Sequence, residues 1–289
     1  MQIEKLTKPH RTAIKDINTL IDLCNSRDGI RLTFDPDDDL KEEDDINTFL
    51  LYDKDRLVSA VLLFAPTRKE AEITAFTRPE YRRQGCFTRL MKEVRKDLRR
   101  RGTPELLFVC DSRSRDGLST VSHIKAVYDF SEFLMRFDPA GLPPLTVDSG
   151  LTLKPCAEED SPELLAIGMD AFDQSREDAE DFNRGMYTSD RREFHTICLD
   201  DRIIGMIGVY REETGLLVHG FALRKEFRGR GFGKQALYSL LTKYSGENRD
   251  RDILLEVNAE NPGALSLYTK MGFRTLREYR YSRLPAAPL

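Results

Sequence analysis

The sequence predicts a mixed α/β protein of the α+β type, built from two tandem copies of one domain. In each copy we expect a mostly antiparallel central sheet flanked by helices. Three observations predict this class. The chain has 289 residues, enough for about two domains of ordinary size. A set of residues recurs at a constant offset of 146 positions, as from Arg82 to Arg228. Each copy also combines a strand-like alternation of apolar and polar residues with an amphipathic helical segment.

Composition and charge exclude several classes of protein. Apolar residues make up 40% of the chain and charged residues 33%, which is typical of a packed globular protein. The 45 Lys and Arg residues against 49 Asp and Glu residues leave a net charge of −4, so we expect no nucleic-acid partner. The apolar runs are far shorter than the roughly 20 residues that a membrane-spanning helix needs. Near the N-terminus, charged residues stand where a signal peptide would have its apolar core. We therefore expect no membrane partner.

The pattern of cysteine and histidine residues predicts neither a disulfide framework nor a zinc site. The cysteines form no C-x-x-C pair, and the histidines form no H-x-x-x-H pair. Reduced thiols in a cytoplasmic protein are therefore expected. The acidic run over residues 35–45 is similar to the start of a calcium loop, but Leu40 and Ile46 stand where that loop requires Gly and Glu. We therefore predict no metal.

The repeat at offset 146 sets the domain boundaries. The recurring residues are Arg78, Glu80, Arg82 and Gly85 in the first copy and Arg224, Glu226, Arg228 and Gly231 in the second. One constant offset indicates two similar folded units rather than a short solenoid repeat. A stretch rich in proline and glycine lies between the copies and is typical of a linker. The predicted organisation is a domain over 1–138, a linker over 139–150 and a domain over 151–289.

Local patterns predict the elements of the second copy. Alternation bounded by turn residues predicts strands over residues 151–154, 194–199, 202–210, 216–223, 253–257 and 278–282. Ser161-Pro162 and Asn261-Pro262 are each a capping residue followed by proline, which is typical of a helix start, and Gly272 closes the second of these helices. A further helix has an apolar face formed by Ala236, Leu237, Leu240, Leu241 and Tyr244.

A glycine-rich loop, Arg228 to Lys234, lies between a predicted strand and that amphipathic helix. Glycine allows a ligand to approach the backbone, and the first N–H groups of a helix lack intrahelical partners, so this loop is suited to binding an anion. The loop is not a P-loop, because Gln235 replaces the required Ser or Thr. It also lacks the third glycine of the dinucleotide fingerprint. A tight structural turn is the alternative interpretation.

The loop resembles the acetyl-CoA motif of the GNAT superfamily of N-acetyltransferases, commonly [QR]-x-x-G-x-[GA]. Here the motif is Arg228-x-x-Gly231-x-Gly233. A second family landmark, N-x-x-A-x-x-L-Y-x-K-x-G-F, is complete as Asn261, Ala264, Leu267, Tyr268, Lys270, Gly272 and Phe273. The resemblance covers almost all of the second copy and extends through the repeat, in weaker form, to the first. The chain therefore resembles a tandem GNAT protein.

The resemblance implies that acetyl-CoA is the co-substrate. In the family, main-chain amides of the loop bind the diphosphate of coenzyme A. By the resemblance, this role falls to Arg228, Gly229, Arg230, Gly231, Phe232, Gly233 and Lys234. The preceding strand diverges from its neighbour in the family, and its end, around Leu223, receives the pantetheine arm. Asn261 would cap its helix and line the groove.

The resemblance also implies a catalytic role for Tyr268, since this tyrosine often acts as the general acid in the family. The phenol suits that role because its reference pKa of about 10 keeps it protonated at neutral pH. The alternative is a core tyrosine. His219, on the strand that enters the loop, is the candidate base or water-holding residue. Glu212 and Glu213 are alternatives, and a packed structural histidine also remains open.

The first copy departs from the motif. Phe87 replaces the second small residue of the loop, and the stretch 119–122 has no tyrosine where the second copy has Tyr268. We expect that this copy does not catalyse by the same route. It would bind coenzyme A unproductively, shape the acceptor site or act as a scaffold.

Taken together, these observations predict an acetyl-CoA-dependent N-acetyltransferase whose second domain is active. The acceptor is expected to be a primary amine on a small molecule or a peptide. The competing hypothesis is a non-catalytic acyl-CoA-binding sensor or regulatory module. The sequence leaves open whether the chain is a monomer or a homodimer, because fold alone fixes neither acceptor nor assembly.

Overall fold

The computed structural model describes residues 1–34, 45–65, 68–148, 150–172, 175–188, 190–212, 215–247 and 251–286. Most of the acidic run at 35–45, together with Glu213, lies outside the described residues. The chain divides into two compact units. Unit 1 comprises Met1–Glu132 with Arg277–Leu289, and unit 2 comprises Phe133–Leu276.

The two halves of the chain have the same order of strands and helices, except that two helices in the second half stand where the first half has its first helix alone. The strands are β1 (Gln2–Leu6), β2 (Thr48–Asp53), β3 (Arg56–Phe64), β4 (Glu70–Thr77), β5 (Glu105–Asp111), β6 (Val127–Phe137), β7 (Leu151–Pro155), β8 (Arg192–Leu199), β9 (Arg202–Arg211), β10 (Gly215–Leu223), β11 (Asp252–Asn258) and β12 (Phe273–Pro285). The helices are α1 (Arg11–Asp28), α2 (Cys86–Arg101), α3 (Arg115–His123), α4 (Ser161–Phe172), α5 (Arg176–Thr188), α6 (Phe232–Glu247) and α7 (Pro262–Lys270).

Each unit is built on a mostly antiparallel sheet with one parallel pair, as predicted. In unit 1, β1, β2, β3 and β4 pair antiparallel in sequence, and β4 pairs parallel with β5. In unit 2, β7, β8, β9 and β10 repeat this antiparallel order, and β10 pairs parallel with β11. A parallel pair needs a crossover, which α2 supplies in unit 1 and α6 supplies in unit 2.

The crossover helices pack their apolar faces against the sheets. In unit 1, Leu90, Val94 and Leu98 of α2 recur at four-residue spacing and are fully buried, and Gly102 ends the helix in the left-handed conformation. In unit 2, the predicted face of α6 from Ala236 to Tyr244 is buried in the same way. The helix that carries Tyr268, α7, begins as predicted, because the Oδ1 atom of Asn261 accepts a hydrogen bond from the N–H of Ala264 at 3.0 Å.

The C-terminal segment belongs to unit 1. The predicted boundaries put residues 277–289 in the second domain, whereas the structure pairs Tyr279–Pro285 of β12 antiparallel with β5. Leu284 and Ala286 are buried in the hydrophobic core of unit 1. Likewise Phe137, before the predicted linker, is part of the core of unit 2. Alternation in the sequence predicts that a segment is a strand, but it does not say which sheet the strand joins.

The described helices include none with both the length and the apolar character that crossing a lipid bilayer requires.

Replacing Leu284 with Ala should lower the free energy of unfolding of unit 1 by about 2–4 kcal/mol, because it removes buried methyl groups and leaves a cavity. Denaturant unfolding gives the loss, and hydrogen exchange of the β5 amides assigns it to unit 1. Val127→Ala is the control, since Val127 is 70% exposed on a strand of the same unit. Equal stability of the two variants would show that the C-terminal strand does not support unit 1.

Candidate functional site

The predicted anion-binding loop of unit 2 has the backbone conformation that its glycines suggest. A short 3-10 turn over Lys225–Phe227 leads into the loop, and α6 begins at Phe232. Gly229 and Gly231 have φ angles of +71° and +86°, in the left-handed region that favours glycine. A Cβ atom at either position would have no atom within 4 Å, so the side of the loop that these glycines face is open. The first N–H groups of α6 remain available to an anion there.

The two parallel strands of unit 2 separate next to this loop. Their paired register ends at Val218 of β10 and Leu255 of β11, although both strands continue. A β-bulge between His219 and Ala222 shifts the register of β10 against β9 at the same level. A bulge bends its strand and increases the local twist, which accounts for the separation. This is the divergence that the family resemblance implied.

Three elements meet at Gly233. A Cβ atom at this position would lie 3.5 Å from Phe221 Cζ and 3.4 Å from Leu223 Cδ1, both on β10. It would lie 3.9 Å from Leu267 Cδ2 on α7. The structure therefore brings together the loop, the end of β10 and the helix that carries Tyr268. A larger side chain at this position would enter the space between the strand and α7.

The exposed side chain of Arg228 links the loop to the end of β10 and to α4. Its Nε atom donates to the carbonyl of Leu223 at 2.7 Å, and its Nη2 atom lies 2.8 Å from an oxygen of Asp170 on α4. Unit 1 has the same arrangement: Arg82 Nε donates to the carbonyl of Thr77 at 3.1 Å. Its Nη2 atom lies 2.7 Å from Asp28 on α1. The guanidinium group thus links the strand end to the first helix of each unit.

The other residues of the sequence repeat also make matching contacts in the two units. The Nε atoms of Arg78 and Arg224 donate to the carbonyls of Leu57 and Ile203, at 2.7 and 3.1 Å respectively. The pairs Arg56–Glu80 and Arg202–Glu226 are ion pairs of 2.6 and 3.3 Å. The offset of 146 therefore reflects residues that hold the loop in place.

Among the cationic residues of the loop, Arg230 and Lys234 differ from Arg228. The guanidinium carbon of Arg230 lies 5.7 Å from the ring centre of Phe227 and 5.3 Å from that of Phe232. Lys234, in the first turn of α6, is partly exposed. The backbone amides of the loop, with these two cations, are the groups that face outward toward an anion.

Tyr268 is buried, as its position on α7 predicts. It is 9% exposed and packs in the core of unit 2, with its ring centre 5.9 Å from that of Phe273. Burial raises the pKa of the phenol to about 12. The hydroxyl group therefore stays protonated through the physiological range and can act as a proton donor.

His219 lies in the bulge of β10, between aromatic rings. Its ring centre is 4.8 Å from that of Phe194 and 6.5 Å from that of Tyr210. Its buried Nε2 atom has no hydrogen-bond partner among the described residues. Burial, with a smaller contribution from the charge of Arg192, lowers the pKa of the imidazole to about 4. A neutral imidazole of such low basicity is better suited to holding a water molecule than to accepting a proton directly.

The two candidate catalytic residues lie in different parts of the core of unit 2. Phe194, which contacts His219, belongs to the cluster formed with α4 and α5, whereas Tyr268 belongs to the cluster formed with α6 and α7. Sequence analysis missed Phe194 and Tyr210, because only the folded sheet brings them to His219. The alternatives Glu212 and Glu213 stay predictions from sequence, since Glu213 is outside the described residues and Glu212 directly follows the end of β9.

Among the described residues, no group of three or more His, Cys, Asp and Glu side chains is arranged to hold a metal ion.

Comparison with known proteins identifies the family. The sequence profile of the Acetyltransferase (GNAT) family matches residues 15–116 and, separately, residues 159–273. The chain belongs to the GNAT family. Each match contains one glycine loop of the repeat, so both units are GNAT domains and the resemblance to a tandem GNAT protein is confirmed.

Solved structures share the fold over the whole chain. A GCN5-related N-acetyltransferase from Sphaerobacter thermophilus aligns with a TM-score of 0.77 and 16% identity, covering 99% of this chain and 96% of that one. A tandem GNAT protein from the clavulanic acid biosynthesis pathway aligns with a TM-score of 0.75 and 14% identity, covering 100% and 99%. At these identities the likeness shows the fold alone. The comparison with curated protein sequences found no match.

Arg228→Lys should accelerate amide hydrogen exchange over residues 228–233 and lower the stability of unit 2 by about 1 kcal/mol. Lysine keeps the charge but cannot bond to the Leu223 carbonyl and Asp170 together, and the exposed ion pair itself contributes little. Arg230→Lys, the same change on the same loop, should leave exchange unaltered. Equal exchange in the two variants would refute the supporting role of Arg228.

The imidazole of His219 should remain neutral until the pH falls to about 4. The unfolded chain binds this proton near pH 6.5, so between about pH 6.5 and 4 the unfolded state holds more protons and acidification destabilises the fold. Two-dimensional NMR of the histidine rings measures the midpoint, and the His219→Gln variant identifies the signal by its loss. A midpoint above pH 6 would contradict the burial of this ring.

Proposed function

We propose that the chain is an acetyl-CoA-dependent N-acetyltransferase that acts on a primary amine, with the reaction taking place in unit 2. The observation that carries this proposal is a juxtaposition: the separated strands β10 and β11, the open glycine loop and the helix of the buried proton donor Tyr268 lie together. Membership in the GNAT family of acetyltransferases supports acyl transfer in general.

The backbone of unit 2 suits the two chemically different parts of an acyl-CoA. The N–H groups at the start of α6, with the loop amides around Gly231, would bind the diphosphate. The edge of β10 beyond Val218 is not paired with β11, so its polar groups can bond to an extended chain of amides such as pantetheine. The carbonyl of Leu223 already accepts a hydrogen bond from Arg228 and retains a second lone pair. Asn261 would border the same groove through its place at the start of α7.

In the proposed reaction, the bound thioester supplies the acyl group and the acceptor supplies a neutral amine. A carbon–nitrogen bond forms, the carbon–sulfur bond breaks, nitrogen loses a proton and sulfur gains one. Tyr268 holds a proton on its hydroxyl for the departing sulfur. The uncharged ring of His219 would hold the water that receives the proton from nitrogen.

The sensor hypothesis has one observation in its favour. The low pKa of His219 makes this residue a weak proton acceptor, so a unit that binds an acyl-CoA without turning it over is the second candidate function. Turnover with a panel of amines, peptides and amino sugars separates the two functions. Protection by the ligand without release of free thiol on any acceptor would establish the sensor.

The remaining partner and location hypotheses stay predictions from sequence. These are a small-molecule or peptide acceptor, no nucleic-acid or membrane partner, a monomer or homodimer, and a cytoplasmic location.

Tyr268→Phe should preserve binding of acetyl-CoA and lower turnover about tenfold or more, since it removes the proton donor and keeps the ring. Calorimetry gives the affinity, and release of free coenzyme A thiol gives the rate. Tyr238→Phe is the matched control, because Tyr238 lies on α6, partly buried against the same core. Unchanged turnover in Tyr268→Phe would remove the catalytic assignment.

A companion pair of variants tests the binding site itself. Gly231→Asp places a carboxylate and a strained φ angle in the loop, so acetyl-CoA binding and turnover should both be lost. Gly246→Asp makes the same change near the other end of α6, at an exposed residue with no atom within 4 Å of the new Cβ. Retained binding in Gly231→Asp would show that the coenzyme lies elsewhere.

A further inference from the structure

Two neighbouring rungs of the unit 2 sheet share one face beside the candidate cofactor groove. Residues two apart on a strand point to the same face, so the register across β8, β9 and β10 decides which side chains meet. The first rung is His219, Gly208 and Phe194, and the second is Leu217, Tyr210 and Arg192. These six positions are called the His219 face below.

The His219 face lies at the acyl end of the proposed groove. The loop that would hold the diphosphate follows the end of β10, whereas His219 is the first residue of β10 beyond its last pair with β11, at Val218. An arm that runs along the unpaired edge from Leu223 toward Val218 presents its far end, the thioester, at His219. The rung of Tyr210 is the next one away from the loop, so an amine that attacks the thioester approaches over that rung.

Aromatic and apolar side chains make up most of this face. The ring centre of Phe194 lies 4.8 Å from that of His219, and the ring centre of Phe182, on α5, lies 5.6 Å from that of Phe194. Phe182, Tyr210 and Leu217 are each half-buried, so part of their apolar surface is open to a ligand. A ligand that covers this surface gains the free energy of apolar burial.

Two cations also stand on this face. The guanidinium carbons of Arg191 and Arg192 lie 4.7 and 5.4 Å from the ring centre of Tyr210. Burial lowers the pKa of His219 most, and the charge of Arg192 lowers it further, so this charge also acts on an amine beside His219. A protonated amine at that place would meet a like charge.

The carboxylates of the neighbouring strands stand elsewhere. Glu193 alternates with the residues of the His219 face and points to the other side of the sheet. Its carboxylate lies 2.9 Å from Lys243 of α6 and 2.8 Å from Arg211. Glu212 lies just past the end of β9, one rung farther from His219 than the two rungs of the face.

On α5, the helix that carries Phe182, two acidic side chains bond within the helix. Asp178 accepts a hydrogen bond from the hydroxyl of Ser175 at 2.6 Å, and Glu180 pairs with Arg176 at 3.1 Å. These contacts hold both carboxylates in the first turns of α5.

The basicity of the acceptor decides how well such a face suits it, because a primary amine attacks a thioester only in its neutral form. The α-amino group of a peptide has an ordinary pKa of about 7.7–8.0, whereas that of a lysine side chain is about 10.4. At pH 7.5, about a third of α-amino groups are neutral, against about one in a thousand lysine side chains. A site that offers a cation and aromatic rings to the amine therefore selects the less basic one.

We propose that the acceptor of unit 2 is a weakly basic primary amine on an apolar body, such as the α-amino group of a peptide that begins with an apolar residue. Phe182 and Tyr210 receive the apolar body, and Arg192 disfavours an ammonium ion. The buried Nε2 atom of His219, which has no partner among the described residues, bonds to the neutral amine or to its water. The proposal rests on the acetyl transfer proposed for unit 2 and adds the class of acceptor.

Two peptides test the class of amine on the full chain with acetyl-CoA. One begins with phenylalanine and contains no lysine, and the other has a blocked N-terminus and a single lysine. Release of free coenzyme A thiol gives kcat/KM, which at pH 7.5 should be about a hundredfold higher for the first peptide. Equal values, or a preference for lysine, would overturn the proposal.

The same assay distinguishes this proposal from the function on which it rests. Turnover of other amines with neither peptide accepted would overturn the class of acceptor and leave acetyl transfer standing. No turnover with any amine would remove the acetyltransferase function and the acceptor class together.

The pH profile shows whether the protein itself deprotonates the acceptor. For the lysine peptide, kcat/KM should rise about tenfold per pH unit up to about pH 9.5, whereas for the phenylalanine peptide it should level off near pH 8. A lysine profile that levels off below pH 9 would show that a group of the protein takes the proton from an ammonium ion, and would overturn the proposal.

A change of the first residue tests the apolar body. A peptide that begins with glutamine should have a kcat/KM about tenfold lower than the phenylalanine peptide, since its side chain buries less apolar area. Equal use of the two peptides would refute the role of Phe182 and Tyr210.

Arg192→Glu tests the selection against ammonium ions. The new carboxylate can pair with an ammonium ion, so the preference for the phenylalanine peptide should shrink about tenfold or more. Arg176→Glu is the matched control, since it makes the same change of charge on α5 at a side chain that is 71% exposed, and its preference should be unchanged. Equal preferences in the two variants would refute the role of Arg192.

Two further variants keep the test decisive if Arg192→Glu fails to fold. Arg192→Gln removes the charge without adding a carboxylate, and it should reduce the preference severalfold while circular dichroism confirms the fold. Glu212→Gln should leave turnover of the phenylalanine peptide unchanged. Loss of that turnover would identify Glu212 as the group that accepts the proton, and would overturn the proposal.

Discussion

In each unit, one parallel pair of strands stops pairing before the strands themselves end, and the opening beside the glycine loop depends on this separation. In unit 2, β10 leaves β11 after Val218, where the bulge at His219 bends it away, and in unit 1, β4 leaves β5 after Ile73. Backbone N–H and C=O groups must find partners, so each separation creates two edges that a ligand can complete. The glycine loop follows directly on the strand that bends, which puts a helix N-terminus at the mouth of the gap.

The residues that recur between the two copies support this opening, whereas other side chains around it differ between the copies. Arg82 and Arg228 each join the strand end to the first helix of their unit, by the same pair of bonds. The positions next to them diverge, with Phe87 against Gly233 and Val121 against Tyr268. A sequence repeat can therefore report shared architecture while the chemistry of the copies has separated.

Much of this was predictable from local sequence, and the rest depended on packing. The cap at Asn261 and the strands around the turn at 200–201 follow from patterns within a few residues. The contact of Arg228 with Asp170 spans 58 positions, and nothing in the sequence selects that aspartate from the acidic stretch that contains it. The low pKa of His219 arises from burial among rings of other strands. The place of residues 277–286 in unit 1 likewise exists only once the chain has folded.

The two openings differ in the number of carboxylates that pair with the repeated arginine, and this follows from a small change at helix starts. Arg228 faces one carboxylate, from Asp170, and α7 begins with residues that carry no charge. Arg82 faces two, because α3 carries Asp116 in its first turn, where a helix favours an acidic residue. Asp116 thus stabilises the start of α3 and gives Arg82 a second acidic partner, whereas Arg228 has Asp170 alone among the described ion pairs.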